Sequence, residues 1–306
     1  MSEYTLGDIQ EVVDGVKDNV APLTDRTMLV EFAKSVWTAR MYDKKATQKL
    51  LNDYNAKKGV ARVNKSILEG CEKLRAISNH AAKSYNTHSD MTQPFNDSGM
   101  RILAAPMFPK YNQTMTAIIS EHEALVTDFL SDYQWEIDSA KVAQGDLYNP
   151  AEYPNVDQVA SKFGMWVNYY PMPSAGHWAI DMAQEQRDEL VSGFTNTMTK
   201  VTERALNDIW SKAHKYVSNL SAQLGRYDTM SRPKLFDSLL DHVFDITEIM
   251  QLCNPTKDMH MEAVRQKLES ALEGVTIEQL KDNKHLRDMT KKKVDDIIKE
   301  LPSLDI

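Results

Sequence analysis

Glycine and proline are scarce in this chain, at 11 each in 306 residues, and they cluster. The stretches between clusters contain little that interrupts a helix, which predicts a mainly α-helical protein. Cysteine is scarcer still. Cys71 and Cys253 lie far apart within apolar helical patterns, so they support neither a disulfide framework nor a four-thiolate zinc site, and a reducing compartment is the simplest setting. No uncharged apolar run approaches the roughly 20 residues that span a bilayer, so no membrane partner is expected. The opening MSEYTLGDIQEVVDG lacks the basic and apolar regions of a secretory signal, which predicts a cytoplasmic protein.

Well-specified catalytic motifs are missing too. No Walker loop, GxGxxG turn, HExxH pair, GxSxG elbow or CxxC pair occurs. An enzyme would need a scattered site, and no cofactor is indicated. Positive charge is in deficit, with 36 Lys and Arg against 44 Asp and Glu, a formal balance of −8. This favours solubility and counts against a surface dedicated to neutralising phosphates, while leaving room for a local basic patch.

What is present reads as a foldable helical chain, 42% apolar and 26% charged. Residues 63–85 carry one apolar stripe through Val63, Ile67, Cys71, Leu74, Ile77, Ala81 and Tyr85. An irregular, proline-containing stretch over 86–110 precedes a second helix, predicted from Tyr111 to about Ala143. Alternation over 163–170 predicts a short strand, with 177–182 as its hairpin partner. A long helix is predicted over 185–224, able to pair antiparallel with 111–143, followed by shorter helices at 233–252, at 257–273 capped by Thr256, and at 284–301. Residues 29–41 fit a helix through Leu29, Ala33, Val36, Trp37 and Met41, or a strand through Val30, Phe32 and Val36. The expected organisation is a single elongated domain over 1–306. It comprises an N-terminal strand or helix with a corner (1–110), a long helical pair interrupted by a small β region (111–224) and C-terminal helices (225–306).

Four constellations invite a chemical role. Asp241, His242, Asp245 and Glu248 share a helix face and have the donors for a divalent cation, but the same spacing describes an ordinary solvated face, and no metal site is assigned. His122 falls on an apolar stripe, where a histidine is more often packed and hydrogen-bonded than catalytic. Lys291, Lys292 and Lys293 make the last helix locally basic, although neighbouring aspartates nearly cancel them. Trp166, Tyr169, Tyr170 and Trp178 form an aromatic group that suits a core, a stacking platform or a docking surface.

Trp37-Thr38-Ala39-Arg40, the run Thr92-Gln-Pro-Phe-Asn-Asp-Ser-Gly-Met-Arg-Ile-Leu103, Phe129-Leu-Ser-Asp-Tyr133, Tyr153-Pro154, Phe163 and Pro171-Met-Pro173 together resemble an uncharacterised family of phage and bacterial proteins. Family members are often encoded beside a MoxR-type AAA+ ATPase or a von Willebrand A-type protein. The resemblance implies the cytoplasm of a bacterial cell or phage-infected host and an ATPase or von Willebrand A-type partner. It also favours a strand at 29–37. Phe95 stands where the family commonly carries Trp.

The 92–103 run reads physically as a structural corner, with Pro94 fixing φ, Gly99 permitting positive φ, and Asp97 and Arg101 as the polar anchors or, failing that, as a ligand site. As buried partners, each would cost about 1–3 kcal/mol on truncation to Ala. The sequence thus predicts a non-enzymatic structural or interaction protein that self-associates. The alternative is a nucleic-acid-associated accessory protein using the C-terminal lysines.

Overall fold

A computed structural model describes residues 26–173, 184–227, 234–254 and 258–302. In chain order the elements are β1 (Thr27–Ser35), β2 (Arg40–Tyr42), α1 (Lys44–Asp53), β3 (Asn64–Ser66), α2 (Glu72–Asp90), β4 (Gln93–Pro94) and β5 (Met100–Ala104). Then follow α3 (Phe108–Ser131), α4 (Tyr133–Gln144), α5 (Val156–Ala160), β6 (Gly164–Pro171) and α6 (Gln184–Arg226). The chain closes with α7 (Ser238–Leu252), α8 (Met259–Leu272), α9 (Ile277–Asp282) and α10 (Lys284–Ile298). The fold is mainly α with a small four-stranded sheet in the order β4-β5-β1-β6, in which β5 runs antiparallel to both β4 and β1.

The chain forms two compact units. A terminal unit takes the chain up to Glu31, Ser89–Tyr111 and everything from Asn168 onward, and an inserted unit takes Phe32–His88 and Asn112–Val167. In the terminal unit, α6 packs against α7, α10 and β4, and α8 packs against α7 and α10. Trp210, Ile209, Val217 and Leu220 of α6 are fully buried. Its Met198, Val201 and Ala205 close over Leu29 and Ile102 of the sheet. Facing several elements explains why the apolar spacing of α6 mixes threes and fours instead of keeping one coiled-coil seam.

The core of the inserted unit gathers Leu74 and Ile77 of α2, Phe129 of α3, Tyr133 and Ala140 of α4, and Ile67 and Val159. Its buried carbonyls are served by side chains. Tyr133 donates to the Pro154 carbonyl at 3.0 Å, while Gln144 Nε2 and the Tyr153 hydroxyl both donate to the Ile67 carbonyl, at 2.7 and 2.8 Å.

Several expected boundaries shift for local reasons. Of the helix and the strand that residues 29–41 allow, the strand is observed, over Thr27–Ser35. The helix expected from 63 starts at Glu72, because 64–66 is committed to β3. The helix expected over 111–143 starts earlier and breaks at Asp132. The Ser131 hydroxyl takes the Asp128 carbonyl at 2.8 Å, the Asp132 amide tightens onto Phe129, and Lys73 clamps Asp128 and Asp132 at 2.8 and 2.7 Å. The segment 284–301 is preceded by α9, whose Thr276–Gln279 capping box is legible in the sequence. Asp258 caps α8, while the expected cap Thr256 and the hairpin partner 177–182 lie outside the described residues.

Candidate anion-binding site

A dense run of positive charge lies in the inserted unit, in a segment where sequence reasoning placed no element between residues 42 and 62. From Arg40 to Lys65 the chain carries eight Lys and Arg against two Asp, a local balance of +6 in a chain whose total is −8. The segment is a closed excursion. β2 leaves and β3 returns antiparallel to it, pairing Arg40 with Ser66, Met41 with Lys65 and Tyr42 with Asn64. Ala39 starts the excursion with a positive φ of 51° while fully buried, and its carbonyl accepts from Ile67 N–H at 2.8 Å. An alanine there costs about 1–2 kcal/mol relative to an ordinary backbone conformation.

Helix α1 is fixed to this ladder from its first turn. Asp43 caps it by accepting from the Ala46 amide at 2.8 Å, and the Asp43 amide donates to the Val63 carbonyl at 3.0 Å. The buried Thr47 hydroxyl donates to the Asp43 carbonyl at 2.6 Å and accepts from the Val63 amide at 2.9 Å, which joins the helix to the returning strand. Leu51 is the apolar anchor. This leaves Lys44, Lys45 and Lys49 exposed over the first two turns of α1, with Lys57, Lys58 and Arg62 exposed beyond the helix.

Lys44 and Lys45 occupy the first turn, which holds no acidic residue, so two positive charges face the positive end of the helix dipole. Each such placement is unfavourable by about 0.3–1 kcal/mol. Among the described residues, none of Lys44, Lys45, Lys49, Lys57 and Lys58 joins an ion pair, although surface pairs occur elsewhere. A bound anion would relieve the accumulated repulsion.

The face borders a cleft of about 680 Å³, walled on one side by Tyr42, Lys44, Lys45, Lys49 and Lys65 and on the other by the 146–149 turn with Glu152. Lys65 ties the walls together, pairing with Glu152 at 2.5 Å and donating to the Leu147 carbonyl at 2.8 Å. Asp43 is used as the helix cap and Glu152 by Lys65, so Asp146 is the remaining acid against three lysines. Two aromatic rings line the cleft: Tyr42, 40% exposed with the Arg62 guanidinium 4.4 Å from its centroid, and Tyr148, with Lys141 Nζ at 5.8 Å.

The residues singled out from sequence go elsewhere. In the terminal unit, buried Arg101 donates through Nε to the Thr92 hydroxyl at 2.7 Å and through Nη2 to the Thr92 and Ser89 carbonyls at 2.7 and 3.1 Å. Lys212 of α6 joins it, reaching the same carbonyls at 2.6 and 2.8 Å and Asp208 at 2.6 Å. Two cations thus serve carbonyls at and just beyond the C-terminal end of α2. Burial pulls the Lys212 pKa down, and Asp208 opposes it. Arg101 is therefore a structural residue.

Asp97 is not a buried partner. Its side chain is 93% exposed and, among the described residues, is paired with Arg204 alone, at 3.3 Å. The expectation that it anchors the corner is corrected by Asn96, whose Oδ1 accepts from the Ser98 and Met100 amides at 3.0 and 3.2 Å.

Of the aromatic group, Trp166, Tyr169 and Tyr170 are partly exposed on β6 and Trp178 lies outside the described residues. The Tyr170 hydroxyl donates to Glu31 at 3.0 Å, which holds its pKa above the usual value, and Tyr169 packs edge-on against Phe108. Lys291 pairs with Asp295, while Lys292 and Lys293 stay exposed beside Asp296. Lys110 bridges Asp245 and Glu248; burial works against its charge, but the two carboxylates outweigh that and raise its pKa. His242 stacks on Tyr216 at 4.8 Å. Among the described residues, no group of three or more His, Cys, Asp or Glu is placed to hold a metal ion.

Among the described residues His122 is packed but not hydrogen-bonded. It is 2% exposed, neither ring nitrogen has a partner, and it stacks on His80 at 5.9 Å. His80 itself donates from Nε2 to the Ile118 carbonyl at 3.0 Å. Burial pushes the Cys71 and Cys253 thiols up to about 11 and about 12, so neither is a ready thiolate.

No protein family, no curated protein and no solved structure matches this chain.

Proposed function

We propose that this chain is a non-enzymatic binding protein that holds nucleic acid on the basic face of residues 40–65. The observation that carries the reading is a local excess of cations: eight Lys and Arg against two Asp in one closed excursion, with five of the lysines outside any ion pair among the described residues and three of those five bordering a cleft, in an otherwise acidic chain. Acidity elsewhere repels phosphate and confines binding to this face. Exposed tyrosines among the cations, Tyr42 at 40% and Tyr54 at 77%, suit nucleic acid better than a compact inorganic anion.

Fluorescence anisotropy of labelled oligonucleotides over a salt series tests it. Affinity should fall steeply as salt rises, and the triple variant Lys44→Glu, Lys45→Glu, Lys49→Glu should bind at least about tenfold more weakly, with the log–log slope reduced by about 2, as expected for three lost phosphate contacts on a single strand. Absence of binding at low salt, or binding indifferent to the triple variant, would overturn the reading.

A further inference from the structure

Resting on that reading, we infer that the cleft beside α1 is a base-stacking pocket and that the ligand class is single-stranded nucleic acid. The cations alone do not discriminate between strands and duplexes, because a phosphate backbone is common to both. The cleft does discriminate. Its volume of about 680 Å³ is of small-ligand size. Tyr42 and Tyr148 supply rings at its walls, and a base stacks on a ring inside a cleft only when it is unstacked from its own neighbours.

The cations are arranged for the same ligand. Arg62 lies over the Tyr42 ring at 4.4 Å and Lys141 over the Tyr148 ring at 5.8 Å, so each aromatic wall carries a charge beside it. Lys44, Lys45 and Lys49 border the cleft itself, and Lys57 and Lys58 stand exposed past the other end of α1, a helix about 15 Å long. A strand can therefore place a base in the cleft against a tyrosine while its phosphates follow the lysines. The Lys65–Glu152 pair holds the two walls in place without a ligand, so the recess is preformed.

The experiment compares the full chain, at one low salt concentration, on labelled oligothymidylate, oligouridylate and a duplex of equal length, each roughly 20 nucleotides long. Single strands should bind at least about tenfold more tightly than the duplex. Tyr42→Leu alone, and Tyr42→Leu with Tyr148→Leu, should weaken single-strand binding by about fivefold or more per ring, corresponding to the lower end of base–aromatic stacking, and should leave the salt slope unchanged. Thermal melts check that the variants fold. Tyr42→Leu is the cleaner probe, because Tyr148 also packs on Tyr153 at 5.5 Å.

A 2-aminopurine in the bound strand should be quenched by wild type and less so by Tyr42→Leu. Thymidylate and uridylate arms that both exceed the duplex support the pocket, and their ratio reports whether the sugar is read. If the duplex binds as tightly as the strands and the tyrosine variants change nothing, this inference fails while the lysine-face reading stands. If no nucleic acid binds wild type, the reading itself fails.

Discussion

From Arg40 to Lys65 eight cations accompany two aspartates, whereas from Lys281 to Lys299 seven cations share the chain with four aspartates. Density is similar and deployment is not. In the C-terminal stretch Lys291 pairs with Asp295, Lys299 with Asp296 at 2.7 Å, and Arg287 donates to the Leu280 and Lys281 carbonyls at 2.8 and 2.9 Å. In the 40–65 stretch Lys65 is paired and, among the described residues, Lys44, Lys45, Lys49, Lys57 and Lys58 are not. A third arrangement, Arg101 with Lys212, buries its charges against backbone carbonyls. The comparison teaches that a count of basic residues predicts a binding surface only after internal partners are subtracted.

The largest effect should come from the buried pair. Arg101→Ala removes the buried hydrogen bonds to the Thr92 hydroxyl and to the Ser89 and Thr92 carbonyls, and it should lower unfolding free energy in urea by about 3 kcal/mol. A loss under 1 kcal/mol would mean that this cation is as idle as the lysines of α1.

Next is the triple reversal of Lys44, Lys45 and Lys49 to Glu, whose effect on stability has the opposite sign. Acids in the first turn of α1 suit its dipole, so unfolding free energy should rise by about 0.5–1 kcal/mol while nucleic-acid binding falls. A triple variant that loses both stability and binding would point to misfolding.

A smaller effect should appear with pH. Burial first, and then the neighbouring His80, hold the His122 pKa below the ordinary value, with Glu123 opposing only in part. The unfolded chain then binds more protons than the folded one. The stabilisation is fully present above about pH 6.5 and is lost as pH falls through the lowered value. The melting temperature should drop between about pH 7 and 5, and His122→Leu should flatten that slope. An equal slope in both proteins would assign the drop to other groups.

The smallest effects belong to exposed charges. Asp97→Ala should change stability by less than about 0.5 kcal/mol, in contrast with Arg101→Ala. Reversing Lys291, Lys292 and Lys293 should alter nucleic-acid affinity by no more than about twofold, since Lys291 is already neutralised and Asp295 and Asp296 surround the others. A loss matching that of the α1 variant would move the binding face to the last helix.

Long periodic elements were legible in the sequence. The helix expected over 185–224 is observed at Gln184–Arg226, and the strand expected over 163–170 at Gly164–Pro171. The excursion at 40–65 was not, because β2 and β3 have three residues each and α1 buries only Thr47 and Leu51, too few positions to establish a period. Its charge was visible, but only in a local window, and the whole-chain balance of −8 hid it. Arg101 was recognised as an anchor, whereas Asp97 was preferred over its neighbour Asn96 because sequence does not reveal which side chain turns inward. Lys212, more than a hundred residues from the Ser89 and Thr92 carbonyls it serves, left no local signal.

The division of the chain into a terminal and an inserted unit also orders the events of synthesis. Once Val167 has left the ribosome, every residue of the inserted unit has been made, while nearly half of the 306 residues, including α6 and the helices α7 and α10 that pack on it, is still to come. Domains fold as units during translation at about 5–20 residues per second. The lysine-bearing excursion can thus mature on the nascent chain, whereas Thr27–Glu31, translated earlier, must wait for the last helices before its own unit can close.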